Sequence, residues 1–254
     1  MDQKSEVIEV YALLTEQKDV LWQLYHVATE PPGKVLKKAD LANFLLYHSL
    51  HVHEMAKAAL ILIENRQQYG VVLFGRSALE SAFILMAAME DHQFGPQRIA
   101  FEYEELSKKL ELLLQRGMWS TSRRPSPNDC KKEAERIRKL YSAPQPLDTK
   151  ARNRIKIIEE ISKIAGLLPF YDDDYRQLSL AVHANQAGIL NSASGFLVRK
   201  GALAICNSVF ITCHVLSGVF RVKTFDSTLE KQYTRLNQLM LSPDFLPTSP
   251  DLFN

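Results

Sequence analysis

Apolar positions along the chain recur with the three- and four-residue spacing of a helix face, and no run alternates apolar and polar for long enough to predict a strand. The pattern predicts a first helix over residues 4–28, stopped by "EPPGK", and a second that follows Asp40 and continues to residue 66. "QQYG" interrupts the pattern, and a third helix follows in "GVVLFGRSALESAFILMAAM", residues 70–89. "QFGP" closes that helix, and a fourth is expected over 97–115. The Ser/Pro/Arg-rich loop "GMWSTSRRPSPND" leads to two basic helices, over 129–141 and 149–164, bracketing "SAPQPL". "GLLPFYDDD" then turns the chain into a helix carrying Arg176 and His183. An apolar helix over 202–220 and an amphipathic one from "FDST" to residue 240 complete the pattern, before a proline-rich tail. The expected fold is an all-α bundle of about eight or nine helices in a single domain, 1–254. Its core covers about 38–222, a basic insertion about 116–156, and the last helix and tail 223–254.

Two positions break the third helix. Arg76 and Glu80 are its only charged residues over 70–89, on a segment apolar on nearly every face. Burying a charge without a partner costs several kcal/mol, so the two are expected to pair across one helical turn and to meet polar groups from elsewhere. "YDDDYRQLSLAVH" supplies those groups. Asp172, Tyr175, Arg176, Ser179, His183 and Gln186 fall within an arc of roughly 100°, and Leu178, Ala181, Val182 and Ile189 are expected to pack inward. A solvated face usually carries Lys and Glu; this stripe carries neither.

The stripe suits phosphate chemistry. An imidazole titrates near neutral pH, so His183 can take a proton from a hydroxyl and return it to a leaving group. A guanidinium stays charged and forks onto phosphoryl oxygens, the role expected of Arg176. Tyr175 and Ser179 orient the imidazole or bind the same phosphate, Glu80 fixes the His tautomer or balances Arg176, and Arg76 adds a second cation. No glycine-rich phosphate loop and no metal cage accompany them, so no cofactor and no metal are expected. His48, His51 and His53 with Glu54 do not form a ligand set: only His48 with His51, or His51 with Glu54, share a helix face, and His53 is expected to face the helix of Arg76. Ser77 and Ser81 lack the strand–turn–helix setting of a hydrolase nucleophile.

Composition narrows the setting. A hydrophobic fraction of 46% with 24% charged residues describes an ordinary globular chain. Three cysteines, Cys130, Cys206 and Cys213, without CxxC spacing argue for a reducing compartment, and an acidic amphipathic N-terminus is not a signal peptide; a cytoplasmic location is expected. Segment 202–220 is nearly long enough to span a bilayer, but its Asn207, Ser208, Thr212, His214 and Ser217 favour a core helix, and no membrane partner is expected. Net charge is only +2, yet residues 116–156 hold twelve Lys/Arg against four acids. Arg123, Arg124, Lys131, Lys132 and Arg136 are therefore candidate contacts to nucleic-acid phosphates.

The spacing from Arg176 to His183 resembles the R-x(4–6)-H signature of the HEPN superfamily, all-α proteins many of which are metal-independent ribonucleases. "RQQYGVVLFGRSALESAFILMAAMED" with "YDDDYRQLSLAVH" resembles more specifically a bacterial helical family of unknown function, sharing R-S-x-x-E and a later Y-x-x-L-S-x-x-x-H. The HEPN resemblance implies Arg176 and His183 as the active pair, with attack of an RNA 2′-hydroxyl on the adjacent phosphate, a homodimer, and a toxin or phage-defence role with an antitoxin or other protein partner. The rival expectation is a non-enzymatic helical scaffold or adaptor in which the same polar residues only specify packing. A small-molecule hydrolase or sensor using the same pocket is a third.

Overall fold

In the computed structural model, residues 3–29, 39–65, 67–120, 122–144, 149–182 and 195–241 are described, and among them every regular element is helical. In chain order these are α1 (Gln3–Thr29), α2 (Ala39–Glu64), α3 (Gln68–Glu90), α4 (Phe94–Gln115), α5 (Pro127–Tyr141), α6 (Thr149–Lys156), α7 (Ile158–Ile164) and α8 (Leu168–Phe170). A π-helical turn (Tyr171–Tyr175) then leads directly into α9 (Arg176–Val182). There follow α10 (Gly195–Phe220), a 3₁₀ turn (Lys223–Phe225) and α11 (Asp226–Met240). The expected stops in "EPPGK" and in the proline-rich tail fall outside the described residues.

Three boundaries differ from the periodicity. Helix α4 starts at Phe94 rather than at 97, with Pro96 in its first turn, where no intrahelical N–H is required. The expected helix over 149–164 is two, because Ile157 adopts an extended conformation (φ −84°, ψ 124°). The Ile155 carbonyl, which a continuous helix would use four residues on, instead accepts from the Arg98 guanidinium. The third is the π turn at Tyr171–Tyr175, where backbone bonds reach one residue further than in an α-helix. The rings of Tyr171 and Tyr175 stack there with centroids 5.3 Å apart.

The chain forms two compact units, residues 1–86 with 166–254 and residues 87–165. The core of the first is built from Leu13, Leu14, Leu21 and Leu24 of α1, Val52, Ala56 and Ala59 of α2, Val71 and Ala78 of α3, Ile205, Val209 and Leu216 of α10, and Leu229 and Leu236 of α11. Cys206 and Cys213 are fully buried in it, and burial drives both thiols up, Cys206 to about 12, as expected of packing residues. Helices α3 and α10 meet backbone to backbone. A Cβ on Gly75 would lie 2.6 Å from the Gly201 carbonyl oxygen, and one on Gly201 2.8 Å from the Val71 carbonyl oxygen. Two helices, at Tyr69–Glu90 and Phe196–Phe220, are long and apolar enough to cross a membrane, and 61% of the most apolar stretch of each is buried inside the fold.

In the second unit α4 and α5 run antiparallel, as the ion pairs Glu111–Lys131 and Glu104–Arg138 show by their opposite order. Cys130, Ala134, Ile137 and Tyr141 of α5 are buried. Helix α5 opens with a reciprocal cap: the Ser126 hydroxyl accepts from the Asp129 N–H at 3.1 Å, and the Asp129 carboxylate accepts from the Ser126 N–H at 2.9 Å. Those Ser126 bonds, with the Arg124 guanidinium, hold the Asp129 carboxyl down at about 2. Ser126→Ala is expected to destabilise the second unit by about 1 kcal/mol, read as a lower urea midpoint for the tryptophan near its loop, Trp119. An unchanged midpoint would show that the cap holds nothing.

Candidate functional site

Helix α3 places Arg76 and Glu80 one turn apart. Their neighbours Ala78, Leu79, Ala82, Phe83 and Leu85 are wholly buried, so the two charged heads emerge at the helix's one polar edge. The Arg76 Nη2 lies 2.9 Å from Glu80 Oε1. Neither side chain is sealed: Arg76 is 27% and Glu80 32% exposed, so water reaches the pair. Across from them, Tyr175 is nearly buried, and its phenol joins the two charges. It donates to Glu80 Oε1 at 2.7 Å and accepts from Arg76 Nη2 at 3.1 Å. The Arg76 guanidinium also stands 5.4 Å from the Tyr175 ring centroid. Arg76 Nε is buried with no hydrogen-bond partner among the described residues.

This arrangement sets the protonation states. Burial, then the Glu80 hydrogen bond and charge, push the Tyr175 phenol up to about 12, against the pull of Arg76. Burial works against the Arg76 charge, but the Tyr175 bond and the Glu80 carboxylate outweigh it and hold the proton more firmly. Tyr175 is therefore a neutral bridge at any physiological pH, and Arg76 a fixed cation with one face already committed. Both position the helix that follows.

The stripe divides at that bridge. Tyr175 sits with buried Leu178 and Ala181, while Arg176, one residue and about 100° further round, projects outward. Arg176 is 65% exposed and contacts Asp172 at 3.3 Å. Ser179 is half-buried, between the two directions. His183, Gln186 and Ile189 lie outside the described residues, His183 being the first residue past α9.

The α2 histidines are arranged differently from the expectation. His51 Nε2 is 3.0 Å from Ser77 Oγ and His48 Nδ1 is 3.4 Å from Ser81 Oγ, so these two face α3. His53, some 200° round from His51, faces α1 instead: its ring stacks on Trp22 at 4.8 Å, and burial lowers its pKa, keeping it neutral. Among the described residues no cluster of His, Cys, Asp and Glu is placed to hold a metal ion.

Of the basic candidates, Lys131 pairs with Glu111 at 2.8 Å, Arg136 with Glu133 at 2.6 Å, and Arg124 with Asp129. Arg123 lies over the Trp119 ring at 5.5 Å, and Lys132 is exposed. Over the whole second unit sixteen Lys/Arg face twelve Asp/Glu. The excess of eight over 116–156 thus falls to four over the unit, mostly through Glu90, Asp91, Glu159 and Glu160, because α4 nearly balances its own four acids with three bases.

One cluster has no counterpart in the sequence pattern. Lys200 of α10 donates to Asp174 Oδ1 at 3.0 Å and to the Asp173 carbonyl at 2.7 Å. Its only signal is the basic residue just before the apolar segment 202–220, which does not reveal a partner 26 positions earlier.

The fold and its polar centre define an all-α protein in which an Arg–Glu–Tyr bridge ties two helices of one unit together. The chain belongs to DUF5677, a family of unknown function, whose model matches residues 42–196 and so includes Arg76, Glu80, Tyr175, Arg176 and His183. No curated protein and no solved structure matches the chain. These comparisons lend no support to the HEPN resemblance.

Proposed function

We propose that the chain binds RNA or a nucleotide along the outward face of α9 and cuts phosphodiester bonds without a metal. His183 serves as general acid/base and Arg176 as the cation for the phosphate. The observation that carries this reading is the Tyr175 bridge. It anchors the start of α9 to α3 at two hydrogen bonds, so Arg176 stands on a fixed backbone yet remains exposed, held by one 3.3 Å carboxylate contact that a phosphate can displace. Arg76, Glu80 and Tyr175 then position the site, and Ser179 lies between them and the cleavage face. In the reaction His183 removes the proton of a ribose 2′-hydroxyl, and the freed oxygen attacks phosphorus. The 5′-oxygen departs with the proton that His183 took up, leaving a 2′,3′-cyclic phosphate and a 5′-hydroxyl.

The test is incubation of the purified chain with single-stranded RNA in EDTA, followed by mapping of the ends. Cyclic-phosphate ends are expected from the unaltered protein, with a loss of about a hundredfold or more in His183→Ala and an unchanged thermal melt. Arg176→Ala is expected to weaken RNA retention as well as cleavage. The absence of both cleavage and retention would instead favour a helical scaffold, a reading supported by the mutual bonds of Arg76, Glu80 and Tyr175.

A further inference from the structure

The first unit holds a cavity of about 460 Å³ on the side of the π turn away from the Tyr175 bridge. Its apolar walls are Phe170, Phe196, Leu203 and Met240, contributed by α8, α10 and α11. Its polar lining is Asp173, Asp174, Lys200, Gln177 and Asn207. The volume is in the range of pockets that enclose small organic molecules, and a mostly apolar wall with a few convergent polar groups is their usual composition.

The charges in this lining are unusual for their setting. The side chains of Lys200 and Asp174 are only 13% and 17% exposed. Two of the three ammonium protons of Lys200 are committed, to Asp174 Oδ1 and to the Asp173 carbonyl, and its Nζ lies 5.6 Å from the Phe196 ring. Asn207 donates one amide N–H to Met240 Sδ at 3.7 Å, which leaves its other N–H and its oxygen. Two carboxylates therefore share the lining with one ammonium, and the remaining polar groups, Gln177 and Asn207, are neutral amides. Burial raises the Asp174 pKa, as it does for a carboxylate short of positive charge. An anionic ligand would meet both carboxylates, with one remaining lysine proton and neutral amide N–H groups to hold it. A cation would restore neutrality, and an aromatic wall favours it through the ring face.

We infer that this cavity binds a small organic cation, an ammonium group on an apolar body. The charge is held by the carboxylates of Asp173 and Asp174, and the body lies against Phe170, Phe196, Leu203 and Met240. The cavity meets α9 only at Gln177, which the RNA reading does not use, and the inference does not rest on that reading.

The test compares hexylammonium, hexanoate and hexan-1-ol, which share one apolar chain, by titration calorimetry against the full chain near neutral pH. Hexylammonium is expected to bind, with the other two weaker by about tenfold or more. Asp173→Asn removes a carboxylate whose side chain is not used by Lys200, so the melt is expected to hold while hexylammonium affinity falls about tenfold. Equal or tighter binding of hexanoate would overturn the inference. So would hexylammonium affinity unchanged in Asp173→Asn, or no hexylammonium binding at millimolar concentration.

Discussion

Gly75→Val is expected to destabilise the first unit by about 3 kcal/mol or more, at the upper end of overpacking costs. The reason is the identity of the atoms in the way. A Cβ at Gly75 would stand 2.6 Å from the carbonyl oxygen and 2.7 Å from the Cα of Gly201, both backbone, so no side chain can rotate clear. Helix propensity pulls the other way by up to about 1 kcal/mol, since glycine is a poor helix former, and that gain is too small to win. The two helices would have to separate, and with them the buried rows of Val71 and Ala78 on α3 and Ile205 on α10. The measurement is the urea midpoint of the full chain, with Gly201→Ala as a second variant on the facing helix. Midpoints matching the unaltered protein in both would show that the crossing yields more easily than a backbone contact should.

Tyr175→Phe is the second large effect and has a pH signature. At neutral pH it removes one bond to a guanidinium and one to a carboxylate while leaving the 2.9 Å Arg76–Glu80 pair in place. Hydrogen bonds to charged groups contribute about 1.5–3 kcal/mol each, and the surviving pair recovers part of that, so a net loss of about 2 kcal/mol is expected. The phenol's pKa is raised in the fold, from the ordinary 10.0 to about 12. The native state therefore holds this proton more tightly than the unfolded chain. The stabilisation is complete below about pH 10 and disappears as pH rises towards about 12, a span of about 2–3 kcal/mol. The phenol is buried, but water reaches the Arg76–Glu80 pair it bonds, so solvent screening brings that figure down. Urea midpoints measured from neutral to strongly alkaline pH should show the gap between the two proteins closing over that window. A gap constant with pH would mean that Tyr175 ionises freely and bridges nothing.

The helical class was legible because apolar residues repeat at three and four along α1, α2, α3 and α10, and burial follows that repeat. The pairing of Arg76 with Glu80 was legible for the same reason, since a turn of helix leaves them adjacent. What periodicity cannot carry is contact between distant segments. The partner that joins them, Tyr175, is 95 residues beyond Glu80, and its separation from Arg176 by burial depends on packing against α3. Local chemistry hid other features. Pro96 reads as a stop yet sits harmlessly in a first turn, and the break at Ile157 goes with a bond from Arg98 to the carbonyl of Ile155, 57 residues further on. The basic stretch reads as more strongly charged than its unit is, because Glu90, Asp91, Glu159 and Glu160 lie just outside it, and two of its bases, Lys131 and Arg138, pair with Glu111 and Glu104 of α4.

The π turn carries a consequence of its own. Its extra residue per turn slips the phase of everything downstream by one position, about 100° of rotation. That slip decides which of two adjacent residues, the tyrosine or the arginine, looks inward. The outward face of α9 is thus set by a counting offset in the backbone as much as by the side chains it displays. Regular winding of the same five residues would turn Tyr175 to about where Arg176 now points and carry Arg176 a further 100° round, whereas removing one of the three aspartates along with the π turn would leave both directions as they are.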